Sequence, residues 1–380
     1  MRENSSTQRN RSVDVAKGLG ITLVVFGHSM YVMGNMAGEM FRVIWSFHMP
    51  LFFLLGGLFV RTSHSMLHVV KSRANGLLKP YFAVLAIYTI LATLAALARG
   101  KPIEIARPVA RIVYGSGATI PVGWGPLWFL PHMFLAILCA TVWCKLWDGS
   151  KNSGRVALVV TLGVAWYLGV LYLDPHMALP WTPESWFGKN PGLPWGADLL
   201  PVTAPFVAVG YLLRDRLLHL RPTPAWLLIG PATFVLLHLT SDHYLDYHAR
   251  IYTSFVVSTL LAFSGVVSVL CIAVVMDSFD RLGAFFEYLG KASLVILMVH
   301  SIFTAVLYWK LFSSGVEFHL ANVMCIVLGI SAGVLVYAFG MRYPRIGLFY
   351  LPIAAQQSAR GSKANETLSI LKNKIQNRPP

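Results

Sequence analysis

Long apolar stretches alternate with shorter polar segments along most of the chain. Each stretch is close to the roughly 20 residues that a helix needs to cross a hydrocarbon core about 30 Å thick. The pattern predicts an all-α, polytopic membrane protein with about ten transmembrane helices, because lipid offers no partners for exposed backbone groups. We place the helices near residues 18–34, 41–60, 77–98, 127–147, 156–173, 199–213, 225–241, 251–276, 291–309 and 320–341.

Composition and charge agree with this class. Hydrophobic residues make up 56% of the 380 positions, and charged residues only 12%. The net charge of +15 could attract nucleic acid, but most lysines and arginines lie in alternate connecting segments, on one side of the membrane. The positive-inside rule makes that side cytoplasmic, together with both termini. We therefore expect membrane lipids and no nucleic acid as partners, and a location in a bacterial cytoplasmic (inner) membrane.

The chain divides into two parts. We interpret residues 1–350 as one integral-membrane domain and residues 351–380 as a polar cytoplasmic tail. The four cysteines lie within or beside apolar spans, where they behave as small hydrophobic residues. Their positions predict neither a disulfide framework nor a metal site.

One connecting segment opposes the charge rule. Residues 99–111 are predicted to be extracytoplasmic, yet they include Arg99, Lys101, Arg107 and Arg111. This indicates an interfacial or re-entrant helix that contacts an anionic acceptor or lipid headgroups, or a basic surface without such a role.

The first apolar helix begins in a charged cluster and ends near a histidine. Lys17 and His28 are eleven residues apart, so they share one helix face about 16 Å apart along the axis. An ionisable group at that depth indicates a functional site, with a simple hydrogen bond to a neighbouring helix as the alternative. Asp14 lies about 21 Å from His28, so we expect it to pair with Lys17 or a loop arginine at the cytosolic opening.

Further motifs follow along the chain. In the second span, His48 precedes Pro50, which is expected to kink the helix, and a glycine pair that permits close helix contact. A basic loop over 61–79 adds to a cationic cytosolic surface that can bind a phosphorylated small molecule. Trp124 and Trp128 lie at the predicted outer interface, as membrane anchors or as platforms for sugar rings. Lys291, Ser293 and His300 share a late helix that starts at the cytosolic face.

These motifs together resemble acyltransferase family 3, the integral-membrane sugar O-acyltransferases, and most closely its fucose 4-O-acetylase-like branch. The resemblance covers about 300 residues, with its blocks in the family's order. They are the arrangement of Arg11, Asp14, Lys17, Gly18, Gly27 and His28, then Phe47-His48-Met49-Pro50-Leu51-Phe52-Phe53, Leu77-Leu78-Lys79-Pro80-Tyr81, Trp128-Phe129-Leu130, and Leu289-Gly290-Lys291-Ala292-Ser293 through His300.

The resemblance implies transfer of an acyl group, usually acetyl, from cytosolic acyl-CoA to a hydroxyl of an extracytoplasmic glycan or its lipid-linked precursor. It makes His28 the essential residue, and it implies no permanently bound cofactor, acyl-CoA being a substrate. The family often has arginine in place of Lys17, and an Arg-x-x-Arg pair that aligns with Arg73 and Gly76, so the second arginine is missing here. We group the remaining candidates as supporting residues (Asp14, His48, Ser293, His300), acyl-CoA contacts (Lys17, Arg11, Lys71, Arg73, Lys79), acceptor contacts (Trp128, Trp124) and no metal ligands.

Acyl transfer from a thioester needs a base for the hydroxyl proton and a donor for the oxyanion. We expect His28 to be the base, reached by an extended pantetheine arm from the side of Lys17, while the acceptor arrives from outside. A covalent acyl-histidine route is the alternative.

Other functions stay open at this stage. A secondary transporter or flippase of a glycan-related solute has similar helices and buried histidines, although no paired repeats are evident. An accessory scaffold among glycan-assembly proteins is a third possibility. The outer segment 242–248 contains two aspartates and two histidines, which indicate either solvated loop groups or an acceptor-binding cluster.

Overall fold

The computed structural model describes residues 10–32, 38–117, 119–120, 124–173 and 192–353. Within this part of the chain, eight helices are long and apolar enough to cross a membrane, which confirms the all-α membrane class. Residues 354–380, most of the predicted tail, lie outside the described residues. The α-helices are α1 Arg11–Val32, α2 Glu39–Trp45, α3 His48–Gly57, α4 Met66–Arg73, α5 Lys79–Ala98, α6 Ala106–Tyr114, α7 Phe129–Gly149, α8 Asn152–Tyr172, α9 Leu200–Leu212, α10 Arg214–Leu218, α11 Pro224–Thr240, α12 Phe255–Asp277, α13 Asp280–Ile302, α14 Tyr308–Ser313, α15 Phe318–Arg342 and α16 Pro344–Gly347.

Shorter elements connect these helices. One antiparallel hairpin joins α11 to α12 and consists of β1 Leu245–Asp246 and β2 Ile251–Tyr252, with Leu245 opposite Tyr252. Short 3₁₀ turns at Gly125–Trp128 and Pro194–Leu199 precede α7 and α9.

The second predicted span is two helices rather than one kinked helix. The break falls after α2, and Phe47 has non-helical backbone angles (φ −142°, ψ −16°). Pro50 then lies in the first turn of α3, where a missing N–H costs little because first-turn donors have no intrahelical partner. Ser46, four residues before Pro50, is where a continuous helix would clash with the proline ring, so the break agrees with the expected interruption by Pro50 and places His48 at the start of a helix.

The basic segment 61–79 is largely helical rather than a loop. Helices α4 and α5 join through a π-turn at Ala74–Leu78, so one helical segment extends from Met66 to Ala98. Pro80 follows directly and has no N–H to donate to a carbonyl in the preceding turn. Such a gap in the i to i−4 ladder is a common cause of a π-turn.

The 99–111 segment leads into a helix, α6, whose last turn is attached to the bundle. The buried Tyr81 hydroxyl donates to the carbonyl of Ile112 (2.7 Å), and the indole N–H of Trp195 donates to the carbonyl of Val113 (2.8 Å). Gly115 ends the helix in the left-handed conformation (φ 62°). Ile112 is buried, whereas residues 99–107 are exposed, so the segment lies at the surface of the bundle, and its contact with an anionic acceptor or lipid headgroups stays a prediction.

Polar contacts separate the connecting segments into two ends of the bundle, in agreement with the alternation that the charges predict. Hydrogen bonds at one end join the start of α1 to α12 and α10, and the segment after α3 to α7. At the other end, an ion pair joins α2 to the α11–α12 connection, and a hydrogen bond joins it to the last turn of α11. The pairs are Ser12–Asp277, Asn10–Leu218 and Thr62–Asp148 at the first end, and Arg42–Asp242 and Glu39–His238 at the second.

Helix α1 packs directly on α13, backbone against backbone. A Cβ atom on Gly18 would overlap the carbonyl oxygen of Phe286, and one on Gly290 would overlap the carbonyl oxygen of Asp14. Small residues at such crossings allow close contact between helices in lipid. This contact holds the face of α1 that carries Lys17 and His28 next to α13.

Candidate active site

A cavity of about 330 Å³ extends along α1 and contacts both Lys17 and His28. Helices α1, α3, α7 and α13 form its walls, together with the 3₁₀ turn before α7 and residues after α16. The lining is mostly apolar between these two groups. It includes Ile21, Val24, Met49, Phe52, Met133, Leu294 and Leu297. The sequence predicted that Lys17 and His28 share a face, and the structure places both on one cavity.

His28 is enclosed by aromatic rings. The indole of Trp45 meets its imidazole edge to face, with centroids 5.5 Å apart, and the imidazole of His300 lies 5.4 Å away. Gly27 allows this arrangement, because a Cβ there would overlap the Trp45 ring. Trp45 is the last residue of α2, so the helix break that follows it helps to position the ring that packs on His28.

His48 and His300 are buried and hydrogen-bonded within their own helices. The Nδ1–H of His48 donates to the carbonyl of Ile44 (2.8 Å), and that of His300 to the carbonyl of Ile296 (2.9 Å). A carbonyl only accepts, so Nδ1 carries the proton in both rings. The Ser301 hydroxyl lies 3.3 Å from Nε2 of His300 and can donate to it. The His300 ring lies against His28, the His48 ring packs on Trp45 with centroids 4.8 Å apart, and neither ring lines the cavity.

Two lysines lie at the end of the cavity away from His28. The Lys17 ammonium is 3.3 Å from Oδ1 of Asp14 and 4.6 Å from the centre of the Phe59 ring. Lys291 pairs with Glu287 one turn earlier in α13. Asp14 is buried and pairs with Lys17, as expected from its distance to His28. Lys291 was not among the predicted contacts, although it stands beside Ser293, which also lines the cavity.

The other basic residues proposed for acyl-CoA lie around or away from this opening. Arg73 donates to the carbonyl of Phe59 (2.7 Å) and Lys79 to that of Leu351 (2.8 Å), and Phe59 and Leu351 both line the cavity. Lys71 is exposed on α4.

Arg11 faces a different set of groups. Its guanidinium lies 3.1 Å from Asp277 and 3.2 Å from Glu287, and it does not line the cavity. The structure thus brings one of the five predicted donor-side residues, Lys17, directly to the cavity wall.

The two tryptophans proposed for the acceptor lie in different places. Trp128 is 6% exposed and lines the cavity, so it is not a membrane-interface anchor. Trp124 packs against Tyr88, with ring centroids 5.3 Å apart, and is not part of the lining.

The outer hairpin brings an acid and an imidazole near this site, although neither lines the cavity. Asp246 is 7% exposed, and its carboxylate accepts a hydrogen bond from the Ala249 N–H (3.0 Å) and lies close to the Trp45 indole. His248 lies near Asp246, and its imidazole is in electrostatic range of His28. The solvated-loop interpretation is wrong for Asp246 and fits Asp242, whose side chain is fully exposed. Asp246 ends β1 and His248 lies in the turn that follows, so no periodic signal in the sequence pairs them.

The site combines groups with distinct chemical uses. The cavity has two lysines at one end, an apolar middle and the His28 imidazole at the other end, and such an arrangement suits a long substrate with an anionic head and a reactive tail. Among the described residues, no group of three histidine, cysteine or acidic side chains could hold a metal ion.

Comparison with known proteins gives one family. The family model described as an acyltransferase domain matches residues 10–341, which include the four helices around the cavity. Among curated proteins, no sequence matches this chain.

Proposed function

The chain belongs to the acyltransferase domain family, and from that premise we propose that it moves an acyl group, in the simplest case acetyl, from cytosolic acyl-CoA to a hydroxyl of an extracytoplasmic glycan or its lipid-linked precursor. The observation that carries the proposal is a single cavity that contacts Lys17 and His28, about 16 Å apart on α1. That span lets the donor stay on one side of the membrane while its acyl group reaches about the middle of the roughly 30 Å core, where an acceptor from the other side can meet it. The fucose 4-O-acetylase-like branch and the bacterial inner membrane belong to the same proposal.

The donor occupies the cavity from the end that carries Lys17 and Lys291. Phosphates bind where cations concentrate, and the apolar lining suits the extended chain that bears the thioester. Arg73 and Lys79 hold the backbone on two sides of this opening through the carbonyls of Phe59 and Leu351. These two side chains determine the shape of the opening. The absence of a second arginine at Gly76 therefore leaves the residues that line the cavity in place.

The reaction itself is a direct displacement at the thioester carbon. His28 takes the proton of the acceptor hydroxyl as its oxygen attacks the carbonyl carbon, and the C–S bond breaks as the tetrahedral intermediate collapses. The proton then passes from the imidazole to the departing thiolate, so CoA leaves as the free thiol and the acceptor as an ester. Trp45 and His300 hold the His28 ring in place during both transfers.

Purified protein in detergent tests the function. The assay supplies acetyl-CoA labelled in its acetyl group and a mixture of methyl glycosides as acceptor probes. Labelled glycoside and an equal amount of free CoA support the proposal. Movement of glycoside across proteoliposome membranes without any labelled ester would reject it in favour of a transporter.

Removing the cation at Lys17 should weaken donor binding. We expect Lys17→Met to raise the KM for acetyl-CoA about tenfold, with kcat nearly unchanged, because it removes a contact made equally in the ground and transition states. Lys17→Arg should restore the KM, since it keeps the charge beside Asp14. Lys151→Met, an exposed lysine at the same end of the bundle, is the control. An unchanged KM in Lys17→Met would contradict the donor path.

A further inference from the structure

The β1–β2 hairpin is anchored in the bundle rather than exposed at its outer end. Tyr247 and Tyr252 are both almost fully buried, and Leu245 of β1 is buried opposite Tyr252. This packing carries Asp246 and His248 toward the deep end of the cavity. The proposed reaction uses neither residue, so their placement needs its own explanation.

Asp246 is buried and held within the hairpin. Its carboxylate accepts a hydrogen bond from the Ala249 N–H (3.0 Å) and lies close to the His248 N–H and to the Trp45 indole. The Trp45 ring packs on His28, so Trp45 lies between Asp246 and the proposed base.

The His248 ring packs on the backbone of Gly117. A Cβ on Gly117 would overlap the ring, so this contact requires glycine. The nearby Gly117 backbone favours an N–H on one ring nitrogen. In a neutral imidazole that donates from one nitrogen, the other nitrogen is an acceptor. Burial lowers the pKa of His248, although the neighbouring Asp246 carboxylate opposes that shift, so the neutral form is favoured near pH 7.

His248 lies beside a residue that lines the cavity. Its ring centroid is 6.2 Å from that of Trp128, which lines the cavity, and its imidazole is in electrostatic range of His28. It comes from an outer connection, whereas Lys17 and Lys291 lie at the opposite end of the cavity. His248 does not itself line the cavity, but its partly exposed ring lies beside Trp128 on the outer connection, where a hydroxyl that arrives from outside can reach it.

We propose that His248 forms the hydroxyl-binding subsite for the acceptor, with its ring nitrogen accepting the hydrogen bond of an alcohol group on a sugar. Asp246 is a positioning residue that holds both His248 and Trp45. The inference rests on the proposed acyl transfer and adds to it the residue that selects a hydroxyl-bearing acceptor. Trp128 supplies the adjacent apolar face on which a sugar ring can stack.

Variants of the hairpin separate acceptor binding from donor binding. His248→Gln should raise the KM for the methyl glycoside that the wild-type protein acylates by at least about tenfold, while the Kd for acetyl-CoA stays within about twofold. Asp246→Asn should also raise the KM for the methyl glycoside, while the Kd for acetyl-CoA stays unchanged. Gly117→Ala, which displaces the His248 ring without removing it, should have the same two effects. His243→Gln, on the same connection and bonded to Thr253, is the matched control.

The outcomes are distinguishable. A wild-type glycoside KM in both His248→Gln and Gly117→Ala would overturn the subsite and leave the proposed function standing. Loss of acetyl-CoA binding in both variants would also overturn it, because the hairpin would then act on the fold as a whole. A wild-type protein that acylates none of the glycosides removes the proposed function, and the subsite with it.

Discussion

Replacing His28 with alanine should lower kcat for acyl transfer by about 10²- to 10⁴-fold, which is the usual contribution of a positioned general base. The Kd for acetyl-CoA should change little, because Lys17 and most of the apolar lining remain. The measurement is release of free CoA in the presence of the acceptor, with the acetyl-CoA Kd determined by calorimetry. A lower kcat with an unchanged Kd for acetyl-CoA would assign His28 to the chemical step rather than to donor binding.

Two further variants sharpen this prediction. His28→Gln keeps a polar group of similar size but has no basic nitrogen, so it should be nearly as inactive as alanine. His64→Ala removes an exposed imidazole from the connection between α3 and α4 and should keep the wild-type rate. If His28→Gln retained more than about a tenth of the activity, His28 would be a packing or hydrogen-bonding residue, and the base would lie elsewhere.

The contact between α1 and α13 should be the most sensitive packing site in the bundle. We expect Gly18→Ala and Gly290→Ala each to lower the free energy of unfolding by about 1–3 kcal/mol or more, because overpacking moves backbone as well as side chains. A methyl group on either residue would overlap a main-chain carbonyl oxygen, Phe286 in one case and Asp14 in the other. Main chain has less room to move than the end of a flexible side chain, so the helices must separate.

Gly163→Ala is the matched control for these variants. Gly163 lies within α8, and a Cβ there would meet no other group within 4 Å. Alanine at this position should leave stability unchanged or raise it by about 1 kcal/mol through helix propensity. Each variant is heated in detergent, and size-exclusion chromatography measures the fraction that remains folded at each temperature, which gives the unfolding midpoint. Equal midpoints for Gly18→Ala and Gly163→Ala would show that α1 and α13 are not tightly packed in the protein.

The presence of the long helices was predictable from hydropathy, but their exact starts were not. Pro50 was the evident cause of a bend in the span at 41–60, and the chain breaks at Ser46 and Phe47, within one turn before it. By contrast, α13 begins at Asp280, whereas the pattern placed the start of this span near residue 291. Hydropathy does not register a polar first part of a helix, which tertiary packing stabilises.

The candidate site was predictable where its residues share one helix. Lys17 and His28 follow from the regular geometry of α1, and the structure places both on the same cavity. Arg11 shows the limit of the approach, because its charge suggested phosphate binding while the fold supplies Asp277 and Glu287 as its neighbours. A charge in a sequence carries no record of which opposite charges the fold will bring to it.

The sequence by itself determined the membrane class, the alternation of the connecting segments between two ends, and the shared face of Lys17 and His28. These properties depend on hydropathy, charge and helix period, all of which act along the chain. Only the tertiary structure places Asp246 and His248, which belong to an outer connection, near His28. This placement depends on the buried packing of the hairpin and on its contacts with Trp45 and Gly117, which lie far away in sequence.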